Sequence, residues 1–260
     1  MGIIWSGLAP HPPIIVESVG GDRCRDVQRT IDSMNKLARD LLSHKPDRLV
    51  IISPHTPRPH AGISGWFGER VRGTLAQFGA PSTGYDLPVD QSWMKAFSQA
   101  YPHINDLGEE LLDHGAMVPL HFAVEAGWDG PTAIIGLPWD EGDELDRIGE
   151  AVMQASATGD RTAVLASGDM SHCLKPGAPC GFDERGTRFD HSFVEKVRGQ
   201  QYEEAIHIDP ELREAARQDV LESCRIAWQA TGYRKNNHQF LSYEGPFGVG
   251  YTVMKFYGDS

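Results

Sequence analysis

The sequence predicts an α/β domain with a largely parallel central sheet covered by helices on both faces. Three observations carry this. Short, uniformly apolar runs of buried-strand type recur at Arg48–Ser53, Thr132–Leu137 and Thr162–Ala166. Stretches with apolar residues at helical spacing stand between such runs. No internal repeat, low-complexity tract or long linker interrupts the 260 residues, so one domain over 1–260 is expected.

Taken in order, Gly2 to Leu8 reads as a strand that stops at Pro10. Val27, Ile31, Met34, Leu37, Ala38 and Leu41 then mark one face of a helix. The Arg48–Ser53 run is a second strand, and Ala61 to Phe78 holds two more separated by charged residues. Helices are expected near Gln91–Ala100 and Met117–Glu125. Thr132–Leu137 and Thr162–Ala166 are buried strands joined by a helix near Glu144–Ala155, with Leu145, Ile148 and Val152 on its apolar side. Phe189 to Gly232 reads as helical with a break at Pro210, and the closing SYEGPFGVGYTVMKFY reads as strand.

Composition narrows the function classes. A content of 40% hydrophobic and 23% charged residues suits a globular protein with a substantial core. The formal charge of -12 repels nucleic-acid phosphates and anionic lipid, so neither is an expected partner. No apolar run approaches the ~20 residues needed to span a bilayer. MGIIWSGLAPHPP lacks the basic start and cleavage site of a secretory signal, which makes the cytoplasm the expected location. Cys24, Cys173, Cys180 and Cys224 form no CxxC pair and read as free thiols rather than a disulfide framework.

Histidines fall at informative places. His11 follows the first strand through Ala9-Pro10, His55 follows the second through Ser53-Pro54, and His172 follows Thr162–Ala166 through SGDMS. Ligands of open α/β sheets bind beyond the carboxyl ends of strands, so three such histidines can meet on one side. Prolines at 10, 12 and 13 flank His11, and Pro54 and Pro57 flank His55. Proline stiffens the backbone, and a metal ligand gains from that stiffness. Either motif alone reads better as a turn leaving a strand; two of them, each after a buried strand, shift the reading toward a site. His114 precedes a helix, where Asp113 could fix its tautomer or His114 could simply bond backbone. Asp169 could orient His172 or cap a turn. Glu244 lies in a strand of buried type, where a carboxylate needs a cationic partner or a metal. His60 and His121 read as structural, and His44, His103, His191 and His207 as surface residues.

APHPPIIV, VIISPH, DHGAMVPL, SGDMSH and SYEGPFGVGY, in that order, together resemble the LigB-type superfamily of class III extradiol ring-cleavage dioxygenases. The likeness runs from about Ile3 to Tyr257 and is similar in particular to the LigB-like branch associated with Memo proteins and a radical SAM partner. It implies a LigB-like fold and Fe(II), with zinc or another divalent metal as the alternative. His11, His55 and Glu244 are the implied metal ligands. His172 is the implied acid/base, and His114 the implied second histidine of the active site. The Memo branch has a cysteine in place of the carboxylate, so Glu244 favours the dioxygenase-like site. Two imidazoles and one carboxylate form the facial triad of non-heme Fe(II) oxygenases, leaving positions for a catechol-like aromatic and O2.

The implied reaction is insertion of O2 beside, rather than between, the hydroxyl-bearing carbons of the ring. The alternatives are a Memo-like metal protein of other function and a zinc hydrolase on the same residues. Relatives are commonly oligomeric, which makes a homodimer the expected assembly. No Arg or Lys falls within the five motifs, so an acidic catechol is not specifically indicated.

Overall fold

In the computed structural model, residues 2–139 and 142–259 are described. The chain forms β1 (Ile3–Ala9), a short α1 (Glu17–Gly20), α2 (Gln28–Ser43), β2 (Arg48–Ile52), β3 (Ile63–Gly65), β4 (Arg70–Leu75), β5 (Ala80–Pro88) and α3 (Gln91–Ala100). It continues with β6 (Ile104–Asp106), α4 (His114–Glu125), β7 (Thr132–Ile135), α5 (Asp143–Ala155) and β8 (Thr162–Ser167). The last third holds α6 (Glu184–Arg198), α7 (Tyr202–Ala205), α8 (Pro210–Ala216), α9 (Leu221–Ala230), β9 (Gln239–Glu244) and β10 (Tyr251–Gly258).

Among the described residues the main sheet has the order β6-β3-β7-β2-β8-β1-β10-β9. Its middle four strands, β7, β2, β8 and β1, are mutually parallel. They are buried along their whole lengths, which is why their sequences are apolar without alternation. Antiparallel strands flank them: β10 beside β1, and β3 beside β7. Leu8 and Ile52 both stand opposite Ala166, so β1, β2 and β8 end in line at one edge of the sheet. The predicted common edge for His11, His55 and the SGDMSH segment is therefore present.

Helices cover the sheet. α2 lays Met34, Leu37, Ala38 and Leu41 against Trp5, Ala9 and Leu165, with Pro119, Phe122 and Ala123 of α4 beside them. α5 and α9 pack on one another where Gly149 admits the Gln229 side chain, and Arg225 pairs with Asp146 at 2.7 Å between the same helices. Pro210 opens α8 at a first-turn position behind the capping Asp209, instead of only breaking a helix. β5 was not anticipated. It pairs antiparallel with β4 in a separate two-stranded sheet, and Pro81, Gly84 and Pro88 disguise it in the sequence.

Candidate metal centre

His11 sits two residues past β1, buried, with its imidazole Nδ1 2.9 Å from the Ser167 hydroxyl at the end of β8. That hydroxyl donates its one hydrogen to the Gly115 carbonyl at 2.6 Å. The Ser167 oxygen must therefore accept from Nδ1–H, which turns the lone pair or proton of His11 Nε2 outward. The backbone N–H of His11 donates to Asp169 Oδ1 at 2.9 Å.

His55 follows β2 on a segment drawn against the start of α4. The Asp113 carboxylate caps α4 through Ala116 N–H and accepts from Ser53 Oγ at 2.6 Å and Thr56 Oγ1 at 2.9 Å. Asp113 thus holds the His55 loop rather than the tautomer of His114. Gly115 is what permits the approach: a Cβ there would lie 2.5 Å from Ser53 Oγ and 3.1 Å from the His55 ring.

Asp219, just before α9, completes the cluster. Its Oδ1 accepts from Asp169 N–H at 2.6 Å, and its own N–H donates to the Asp169 carbonyl at 3.1 Å. Gly168 allows this strand end and the start of α9 to meet, since a Cβ there would stand 2.4 Å from Val220 Cα. Asp219 Oδ2 then lies 3.5 Å from His11 Nε2 and 3.2 Å from His55 Nε2, while the two Nε2 atoms are 3.0 Å apart. His114, the first residue of α4, stacks on His55 with ring centroids 4.1 Å apart. Candidate ligand atoms of His11, His55 and His114 all fall within 4.8 Å of one another. Side-chain exposure rises from 2% at His11 through 18% at Asp219 to 36% at His55, so the site opens past His55.

The electrostatics follow from this packing. Burial disfavours a charged His11, but Asp169 and Asp219 outweigh it and raise its pKa to about 9. Burial likewise works against an ionised Asp219, yet His11 and His55 hold its carboxyl far below the usual carboxylate range. His114 moves the other way: burial, then the neighbouring His55 and His11, lower it to about 4, so it is neutral at pH 7. Desolvation raises Asp169 against the pull of His11.

Two sequence expectations are corrected. Glu244 does not join the histidines. Its Oε1 accepts from the backbone N–H of Thr30 at 2.7 Å and from Thr30 Oγ1 at 2.6 Å. The partner that a half-buried carboxylate requires is thus the first turn of α2, whose N–H groups are unpaired within the helix and whose N-cap, Val27, offers no side-chain acceptor. Asp169 makes no hydrogen bond to His172; it binds His11 and the Asp219 loop. His172 lies in the segment after β8, with its N–H on the Ala216 carbonyl and its Nδ1 buried without a partner among the described residues. Sequence reasoning missed Asp219. The only signal was an acidic residue before the apolar helix LESCRIAW, which reads as an ordinary cap.

Comparisons with known proteins agree with this architecture. A protein of Clostridium acetobutylicum, Protein CA_C1420, is 29% identical over 262 aligned positions, which cover 95% of this chain and 56% of that protein. The chain therefore spans little more than half the length of this relative. The crystal structure of uncharacterized protein JW3007 from Escherichia coli K12 has the same fold, with a TM-score of 0.60 at 15% identity, covering 97% of this chain and 99% of that one. Residues 7–254 match the family described as the catalytic LigB subunit of aromatic ring-opening dioxygenase, and the chain belongs to that family.

Proposed function

We propose that the chain is a non-heme Fe(II) extradiol dioxygenase whose iron is held by His11, His55 and Asp219. The observation that carries this is the triangle of ligand atoms with edges of 3.0, 3.2 and 3.5 Å. Ligands ~2.1 Å from a divalent ion stand about 3.0 Å apart at right angles and about 3.4 Å apart at the tetrahedral angle. Two imidazoles and one carboxylate on one face of an ion suit iron with open positions. When bound, the iron supplies the adjoining positions at which a catechol-like aromatic and O2 are brought together.

The remaining steps belong to the chain's own residues. Ser167 and Gly115 keep the His11 Nε2 lone pair directed at the metal position. Asp219 leaves one net positive charge on a divalent centre, which favours a deprotonated substrate hydroxyl. His114, neutral and half-exposed, donates or accepts one hydrogen bond to substrate on the open side. His172 takes the hydroxyl proton at its unpartnered Nδ1 and returns it as the ring opens.

The test is anaerobic Fe(II) loading followed by oxygen uptake with a panel of catechols, with bound iron measured in variants. Asp219→Ala and His11→Ala should lose the metal, and Glu244→Gln should retain it. His172→Ala should keep iron while turnover falls by about 10²–10⁴-fold. Iron retained in Asp219→Ala but lost in Glu244→Gln would overturn the assignment.

A second reading has an observation of its own. His114 shares the cluster with His11 and His55, and the longer edges also suit a tetrahedral zinc site. A zinc hydrolase, or a Memo-like metal protein of other function, would bind metal through the same residues and consume no oxygen.

A further inference from the structure

We propose that Cys173 and Cys180 are a redox-active pair that closes to a disulfide in the segment carrying His172. The backbone brings them together. The His172 carbonyl accepts from Cys180 N–H at 3.2 Å, the Cys173 carbonyl accepts from Asp183 N–H at 3.0 Å, and Leu174 bridges Phe182 antiparallel. Cys173 Sγ lies 3.7 Å from the Cys180 carbonyl oxygen, to which its thiol donates. Both line one surface cavity of about 580 Å³, with Arg185 and Arg217 on its wall.

The two sulfurs differ in access. Cys180 is exposed, whereas Cys173 is buried and its thiol is pushed up by that burial. The exposed sulfur therefore meets an oxidant first. With hydrogen peroxide, Cys180 sulfur attacks one oxygen, the O–O bond breaks and one water leaves, giving a sulfenic acid. Cys173 sulfur then attacks Cys180 sulfur, the S–O bond breaks and a second water leaves. Two thiols are oxidised, losing two hydrogens in all, and one peroxide is reduced to two waters. Cys24 and Cys224 take no part: Cys24 donates to the Ile14 carbonyl, and Cys224 is buried in α9.

The experiment treats the full chain with hydrogen peroxide, blocks remaining thiols under denaturing conditions, and maps tryptic peptides without reduction. Residues 162–185 leave as one peptide, because Pro176 protects the bond after Lys175. That peptide should be lighter by two hydrogens and unalkylated until reduced. The number of alkylatable thiols should fall from four to two. Cys173→Ser removes the resolving sulfur, so Cys180 should proceed to sulfinic acid, whereas Cys24→Ser should behave as the parent. Sulfinic acid on Cys180 of the parent beside an alkylated Cys173, a Cys180 bond between two chains, or no loss of thiols would each overturn the proposal.

Discussion

His11 carries two neighbours that pull in different directions. The Ser167 hydroxyl fixes its tautomer for a metal, and Asp219 holds a proton on the same ring when no metal is there. Ser167→Ala should keep the fold and lower metal affinity by roughly 10–100-fold, as read by competition with a chelator. The proton has a direct consequence for pH. Because His11 is raised from 6.5 to about 9, its protonated form stabilises the apoprotein fully below pH 6.5, and this contribution is lost as pH rises towards 9. A metal must displace that proton, so metal affinity should rise over the same window. Calorimetric titration between pH 6 and 9 checks this, and a flat affinity would contradict it. At this scale His11, His55 and His114 were legible in the sequence, because each stands beside a strand end or a helix start. Asp219 was not, because nothing local separates it from a helix cap; its approach depends on Gly168, fifty-one positions before it. Glu244 misled for the converse reason, since an α2 turn over two hundred residues earlier meets its charge.

α2 owes its start to another element. Its own N-cap offers no acceptor, and Glu244 from β9 supplies one. Glu244→Gln should cost about 1 kcal/mol of stability by denaturant titration, with metal content unchanged. The segment after β8 is held in a comparable way. Asp190 of α6 accepts from Ser171 N–H at 2.9 Å and from the Tyr243 hydroxyl of β9 at 2.8 Å. Burial raises this carboxyl from 3.8 to about 7. The folded state keeps the proton that the unfolded chain releases, so this group's contribution to stability falls as pH rises from 3.8 to about 7. Asp190→Asn removes the ionisation and can keep both contacts, its amide oxygen accepting from Ser171 N–H and its amide N–H donating to the Tyr243 oxygen. Its stability relative to the parent should therefore increase between pH 5 and pH 8, and an unchanged difference would show that Asp190 is not the group responsible. The buried strands and the helices α2, α3 and α5 were legible because apolar runs and helical spacing are local signals. β5 and the division of the last third into four helices were not, because turn-forming residues inside a strand and capped proline starts are settled by packing.

At the scale of the molecule, the centre joins β1, β2, β8, α4 and the loop before α9, which lie far apart in sequence. A divalent ion held there as proposed would bind the native chain alone, so anaerobic metal addition should raise the melting temperature in proportion to the logarithm of metal concentration. The same sheet also fixes where the two chain ends emerge. Trp5 stands opposite Gly258, and Asp259 N–H donates to the Ile4 carbonyl, so the start of β1 and the finish of β10 lie side by side. Both are at the edge away from His11, separated from it by the seven residues of β1, about 20 Å of strand. A tag fused at either strand end would therefore leave from the edge opposite the histidines. The opening past His55 and the paired start of β1 and finish of β10 thus lie at opposite edges of the sheet.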